Sequence, residues 1–268
     1  MKHSVLAFAL LMPLLASAQS DTAHWSVQGR FDLFTTDDLG NLYTLHGNDL
    51  DLYDRTGKHL AHNSLRTFGA IDRIDAFSSL KPLIFSRAQG QLALLDNTLS
   101  TQGTVLDLPS AGYPAVGMAC MGVQNRFWFF DEREGALVRT DALLRPVANS
   151  GRLDQLLGMV PRPSYMEEAN DKLYMVDPDN GVFVFDLFGT PLRTLPITGA
   201  RHVDVREGAV WYVAGNQLLR YDLLTLATET VPWPATAQDE TITVVDARIE
   251  HGRLYRLTAD RILVDKLR

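Results

Sequence analysis

Cysteine is almost missing from this chain. Cys120 is the only one in 268 residues, so no disulfide can form within it, whatever the redox compartment. Its neighbours Gly117, Met118, Ala119 and Met121 read as a buried strand, which makes the thiol a packing group rather than a reactive one. There is also no run of lysine or arginine, and the formal net charge is −7. That balance excludes nucleic acid and anionic membrane surfaces as partners. Beyond the N-terminal segment no apolar run is long enough to span a bilayer.

The N-terminal segment is of another kind. Met1-Lys2-His3, an apolar run from Val5 to Leu15, and Ala16-Ser17-Ala18 have the three-part form of a secretory signal peptide with an A-x-A-type cleavage site. Residues 1–18 are expected to be removed, leaving a mature chain from Gln19. Only Lys2 and no acid goes with them, so the mature balance is about −8. No cysteine follows the small residues, which argues against a lipoprotein anchor. The expected location is the periplasm or beyond.

What the chain has in abundance is one recurring phrase: an apolar or aromatic pair, a turn, an apolar run, then aspartate. It appears as Leu42-Tyr43 with Asp54, Leu83-Ile84 with Asp96, Phe127-Trp128 with Asp141, Leu173-Tyr174 with Asp186, Val210-Trp211 with Asp222, and Leu254-Tyr255 with Asp265. A period of roughly 42 residues filled with short strands and turn residues predicts a β-propeller, whose units bury their faces only by stacking. Six copies predict an all-β, six-bladed ring of four-stranded antiparallel blades, one domain over residues 19–268. In each blade the pair marks the second strand and the Asp-ended run the third. The last copy stops at its third strand, so the alternating segment Ala23-His24-Trp25-Ser26-Val27-Gln28 is expected to supply the fourth and close the ring.

Two blades are written almost alike. Asp38-Leu39-Gly40-Asn41-Leu42-Tyr43 with Leu50-Asp51-Leu52-Tyr53-Asp54-Arg55-Thr56-Gly57 is echoed by Asp171-Lys172-Leu173-Tyr174 with Val182-Phe183-Val184-Phe185-Asp186-Leu187-Phe188-Gly189. This text resembles the NHL-type propeller repeat, in which a D-x-x-G-N-[IL]-Y-V phrase precedes V-x-[VL]-[FY]-D-x-x-G. The resemblance covers the mature chain and implies architecture alone, because such propellers include ligand binders, enzymes and docking modules. The recurring aspartates have a structural explanation first: each can accept hydrogen bonds from the backbone of the turn that follows.

Function in a propeller concentrates at one mouth of the channel. The loops entering the innermost strands bring Phe68, Asp72, Arg73, Tyr113, Arg162, Tyr165, Arg201, His202 and Thr241 toward that mouth, a mixture suited to recognising a partner or small ligand. Asp75, Glu167, Asp204 and Asp246 lie farther along inner strands. They are expected to bond turns at the far ends of those strands, although a channel of carboxylates would also suit Ca²⁺, which takes six to eight oxygen ligands. Two departures from the repeat, residues 148–163 and 231–240, offer docking loops around Leu156, Leu157 and Trp233.

Enzyme readings find less support. There is no G-x-S-x-G phrase and no inner-strand asparagine set among acids. His24, His46, His59, His62, His202 and His251 are scattered rather than clustered for a metal. The sequence therefore favours a non-catalytic binding or scaffold module with no cofactor, its partner another protein of the cell envelope. The alternatives are a metal-dependent hydrolase or lyase using Asp72, Tyr165, Glu167, His202, Asp204 or Asp246, and small-ligand or glycan binding at the mouth.

Overall fold

A computed structural model describes residues 24–234 and 242–267. The expected signal peptide, Ala23, Thr241 and most of the second insertion lie outside these residues. The described chain forms six four-stranded antiparallel sheets arranged as propeller blades. Their inner strands, which line the channel, are Leu33–Thr36, Arg73–Asp75, Val116–Gly122, Tyr165–Ala169, Asp204–Arg206 and Asp246–Glu250, numbered here as blades one to six.

The ring closes as the end of the sequence implied. His24–Gln28 pairs antiparallel with Arg261–Lys266 as the outermost strand of blade six, Trp25 opposite Val264 and Val27 opposite Ile262. Trp25 also covers the blade-one turn, where a side chain on Gly57 would meet its ring at 2.8 Å and where φ is +87°. Glycine serves both needs there, a left-handed backbone and room for the indole.

No single core exists; each seam between neighbouring blades is its own apolar layer. Tyr43, Leu45 and Leu52 pack on Ile74 and Ile84 between blades one and two, and Trp128 and Leu137 pack on Met166 and Leu173 between blades three and four. Phe34 and Leu42 pack on Tyr255 and Val264 across the closing seam. Consecutive residues of a strand face opposite sides of the sheet, and both sides of a blade are buried. The repeated pair follows from this: Leu173 faces blade three and Tyr174 faces blade five. In blade two the pair in register is Ile84-Phe85, one residue later than the repeat suggests, with Ile84 toward blade one and Phe85 toward blade three.

Five of the six recurring aspartates close the turn after the third strand. Asp54 accepts from the N–H groups of Thr56 and Lys58, Asp96 from Thr98 and Ser100, Asp141 from Leu143 and Arg145, Asp186 from Phe188 and Thr190, and Asp222 from Leu224 and Thr225. Asp265 differs because its blade takes its fourth strand from the start of the chain. Having no such turn to serve, it is buried against His24 and the Arg256 guanidinium.

Candidate functional site at the central channel

The channel is blocked halfway. Tyr165 of blade four reaches its middle, where the guanidinium of Arg73 from blade two lies 4.2 Å from the ring centroid and that of Arg248 from blade six lies 5.0 Å away. Arg248 Nη1 donates to the Tyr165 hydroxyl at 2.8 Å and to Asp204 at 3.1 Å. Arg73 Nη2 donates to the Met166 carbonyl at 2.6 Å and to Asp75 at 3.3 Å. Cation–π contacts of this kind gain strength where water is excluded. Burial pushes the Tyr165 hydroxyl up to about 12 against the pull of both arginines, so it stays a neutral donor at any ordinary pH.

This plug divides the channel into two vestibules. On the top face, where inner strands begin, a cavity of about 240 Å³ is bounded by Asp72, Arg73, Arg87, Ser164, Tyr165, Asp246 and Arg248, with Leu33, Phe34, Ile74, Phe85 and Met118 as apolar wall. On the bottom face a cavity of about 440 Å³ is bounded by Asp38, Asp75, Glu167, Glu168, Asp204, Glu207 and Glu250, with Arg206, Arg248 and His251. The acids proposed for a metal enzyme are therefore separated: Asp72 and Asp246 lie above the plug, Glu167 and Asp204 below it.

Most inner-strand acids hold the ring together rather than bonding turns at the strand ends. Asp75 Oδ2 accepts from Met121 N–H of the next blade at 3.0 Å, Glu167 from Val205 at 2.7 Å, and Asp204 from Ile249 at 2.9 Å. Each carboxylate thus joins its inner strand to the next one around the ring, a charge-assisted bond in a low-dielectric site. Asp75 alone also closes its own turn, accepting from Phe77 N–H. Burial pushes the Glu167 carboxyl upward, countered by Arg206 and reinforced by Asp204. Among the described residues no three His, Cys, Asp or Glu side chains converge as a metal-binding group.

His202 is built into the wall. Its Nδ1 lies 2.8 Å from Asp246 Oδ1 and its Nε2 2.7 Å from the Ala247 carbonyl. Each ring nitrogen is thus engaged by an oxygen. Although burial opposes it, the contact with His202 holds the Asp246 carboxyl below its ordinary value. The ring also meets Tyr165 edge-on at 5.6 Å.

The remaining sequence candidates disperse. Asp72 accepts from Arg87 N–H. Phe68 is buried in the seam between blades one and two, not at the mouth. Tyr113 packs on Phe129 between blades two and three and donates to the Leu144 carbonyl. Arg201 is exposed on the top face, its carbonyl accepting from Ser164. Arg162 borders a separate side cavity of about 480 Å³ between blades three and four, with Glu132, Arg152 and Val160. The first insertion makes a short helix, Leu153–Leu157, in which Leu156 is exposed and Leu157 packs against the seam of blades three and four. Trp233 lies on the blade five and six seam, its indole N–H donating to the Asn216 carbonyl; it covers an edge rather than standing free. Arg248 was missed in the sequence because an arginine in an alternating strand looks like any solvated residue. Cys120 is buried, and burial pushes its thiol up.

No protein-family model matches the chain, and no curated protein matches it in sequence. Solved structures match its fold. A streptogramin B lyase aligns with TM-score 0.60 at 13% identity, over 90% of this chain and 97% of the other. Virginiamycin B lyase from Staphylococcus aureus aligns with TM-score 0.57 at 14% identity, over 88% and 80%. A chain of the mitotic checkpoint complex aligns with TM-score 0.61 at 12% identity, over 99% of both. At such identities the likeness is one of fold: the chain is a six-bladed β-propeller, an architecture that hosts unrelated functions.

Proposed function

We propose that this chain is an exported, non-catalytic propeller of NHL-like repeat that docks a protein of the cell envelope, using the bottom-face rim of blades three to five. One observation carries the reading. In every turn that follows a third strand, the residue two beyond the aspartate occupies the same place. In blades one and two it is Thr56 and Thr98, whose hydroxyls donate to Asp54 and Asp96. In blades three, four and five it is Leu143, Phe188 and Leu224, exposed by 72%, 73% and 91%.

These three side chains do nothing for their turns, since the backbone N–H alone makes the bond to aspartate. Exposed apolar groups at matching turns of three neighbouring blades on one face favour an interface. Being carried by three separate blades, they suit the extended surface of a protein rather than a small molecule. The channel carboxylates, engaged by backbone and arginine, weigh against the hydrolase or lyase reading. Export rests on the N-terminal residues Met1 to Ala18.

The test uses the full chain expressed in its own envelope and the combined variant Leu143→Ser, Phe188→Ser, Leu224→Ser. An envelope protein that co-purifies with the parent is then purified and titrated against both. Affinity is expected to fall at least tenfold, about the loss of one well-buried apolar anchor, with unchanged melting temperature. Equal affinity for the variant overturns the rim. Sequencing of the mature N-terminus is expected to begin at Gln19, and retention of Met1 overturns export.

A further inference from the structure

The plug has more hydrogen-bonding capacity than the protein uses. A guanidinium carries five N–H donors, yet among the described residues the bonds of Arg73 leave only from Nη2, and those of Arg248 only from Nη1. The Nε–H of each is buried without a partner. Arg139 and Arg256 also leave Nε without a partner, but neither borders a vestibule, whereas Arg73 and Arg248 both border the top one. Buried donors are ordinarily satisfied, and the second terminal nitrogen of each arginine, unused beside a cavity, can donate to a ligand oxygen; one donor from each of two arginines suits the two oxygens of a carboxylate.

We propose that the top vestibule binds a carboxylate monoanion bearing a small apolar group. This site is independent of the bottom-face rim. Unused donors set the carboxylate: Asp75 and Asp204 already pair with the Arg73 and Arg248 guanidinium groups, yet Nη1 of Arg73 and Nη2 of Arg248 make no bond among the described residues. Arg87 is held by Glu132 and Asp246 by His202, so those two terminal nitrogens are the donors left to meet the ligand. Shape sets the apolar part. The half-buried Leu33 and Met118 accept a small aliphatic or aromatic group, and a volume of about 240 Å³ equals that of about eight waters. The plug stops the ligand from passing to the acidic cavity below, so the carboxylate faces Tyr165 and its arginines while the apolar part rests against the upper wall. A free carboxylic acid and the C-terminus of a peptide share this chemistry.

The experiment is titration of the full mature chain by calorimetry with N-acetyl-leucine, N-acetyl-leucinamide, a short apolar peptide with a free C-terminus, and inorganic phosphate. N-acetyl-leucine is expected to bind, the amide and phosphate at least tenfold more weakly, because one charge-assisted hydrogen bond is worth about that factor or more. Peptide binding as tight as that of the free acid assigns the site to chain ends, and weaker binding assigns it to small acids; either supports the carboxylate. Equal binding of acid and amide overturns the proposal, as does phosphate binding tighter than acid. Arg73→Met is expected to weaken the acid at least tenfold with the fold retained by circular dichroism. A measurement on the unaltered protein stands beside it: the arginine Nε–H resonances of Arg73 and Arg248 are expected to shift on adding the acid and not the amide, and unmoved resonances at saturation refute the site.

Discussion

Replacing Glu168 should cost more stability than any other single change on the channel wall. Its carboxylate is 3% exposed and accepts from the Val123 N–H at 2.8 Å, the Trp128 indole N–H at 2.6 Å and Arg139 Nη2 at 3.0 and 3.3 Å. Arg139 itself is 2% exposed. Glu168→Ala therefore strands a buried cation, which costs about 3–5 kcal/mol, and two neutral donors at about 1–3 kcal/mol each, less whatever water enters the space recovers. A net loss of about 4 kcal/mol or more is expected, a large part of the roughly 5–15 kcal/mol that holds a typical domain. Glu168→Gln keeps shape and one acceptor oxygen and should lose about 2 kcal/mol. The pair Arg139→Met with Glu168→Leu removes both charges together and should recover to within about 1–2 kcal/mol of the parent. Urea unfolding followed by circular dichroism measures all three, with the slope checked for constancy. A Glu168→Ala variant within 1 kcal/mol of the parent refutes the reasoning, because it would mean that Arg139 is solvated without its partner.

Further expectations follow from the same physics. Deleting the residues up to Gln28 removes the outermost strand of blade six, together with the Trp25 cover and the His24–Asp265 contact, so cooperative unfolding should shift to clearly lower temperature; an unchanged melting curve contradicts closure. Asp246 titrates lower folded than unfolded. Its stabilisation is whole above the unfolded value near 3.9 and is lost as pH falls through the folded one, so the parent should lose stability faster than Asp246→Asn on acidification below about pH 4, and parallel urea midpoints would refute this. Gly122→Ala should destabilise by about 1–3 kcal/mol, since its Cβ would stand 2.4 Å from Glu168 Oε2; a neutral result by the same unfolding assay means that the carboxylate can move. Phe68→Ala should lose about 3–5 kcal/mol as a core truncation, while Arg162→Ala stays within about 0.5 kcal/mol. Equal losses would return Phe68 to the surface.

The sequence by itself determined the blade count, the place of each second and third strand, and the source of the closing strand. These are local consequences of strand periodicity and turn chemistry, repeated often enough to be read without contacts. The apolar pair is legible because both faces of every blade are buried, and the aspartate because it bonds to a backbone only two to four residues away. Tertiary structure alone decided the site. Arg73, Tyr165 and Arg248 come from blades two, four and six, 83 residues separating the last two; the inner-strand entries offered Arg73 and Tyr165, but nothing local set Arg248 apart from a solvated residue or showed that the three meet. The ring brings alternate blades together across the channel, so its middle depends on distant side chains meeting. That geometry turned the inner-strand acids from caps of their own turns into links between blades, and it sent Phe68 and Tyr113 into seams when spacing along the chain had placed them at the mouth.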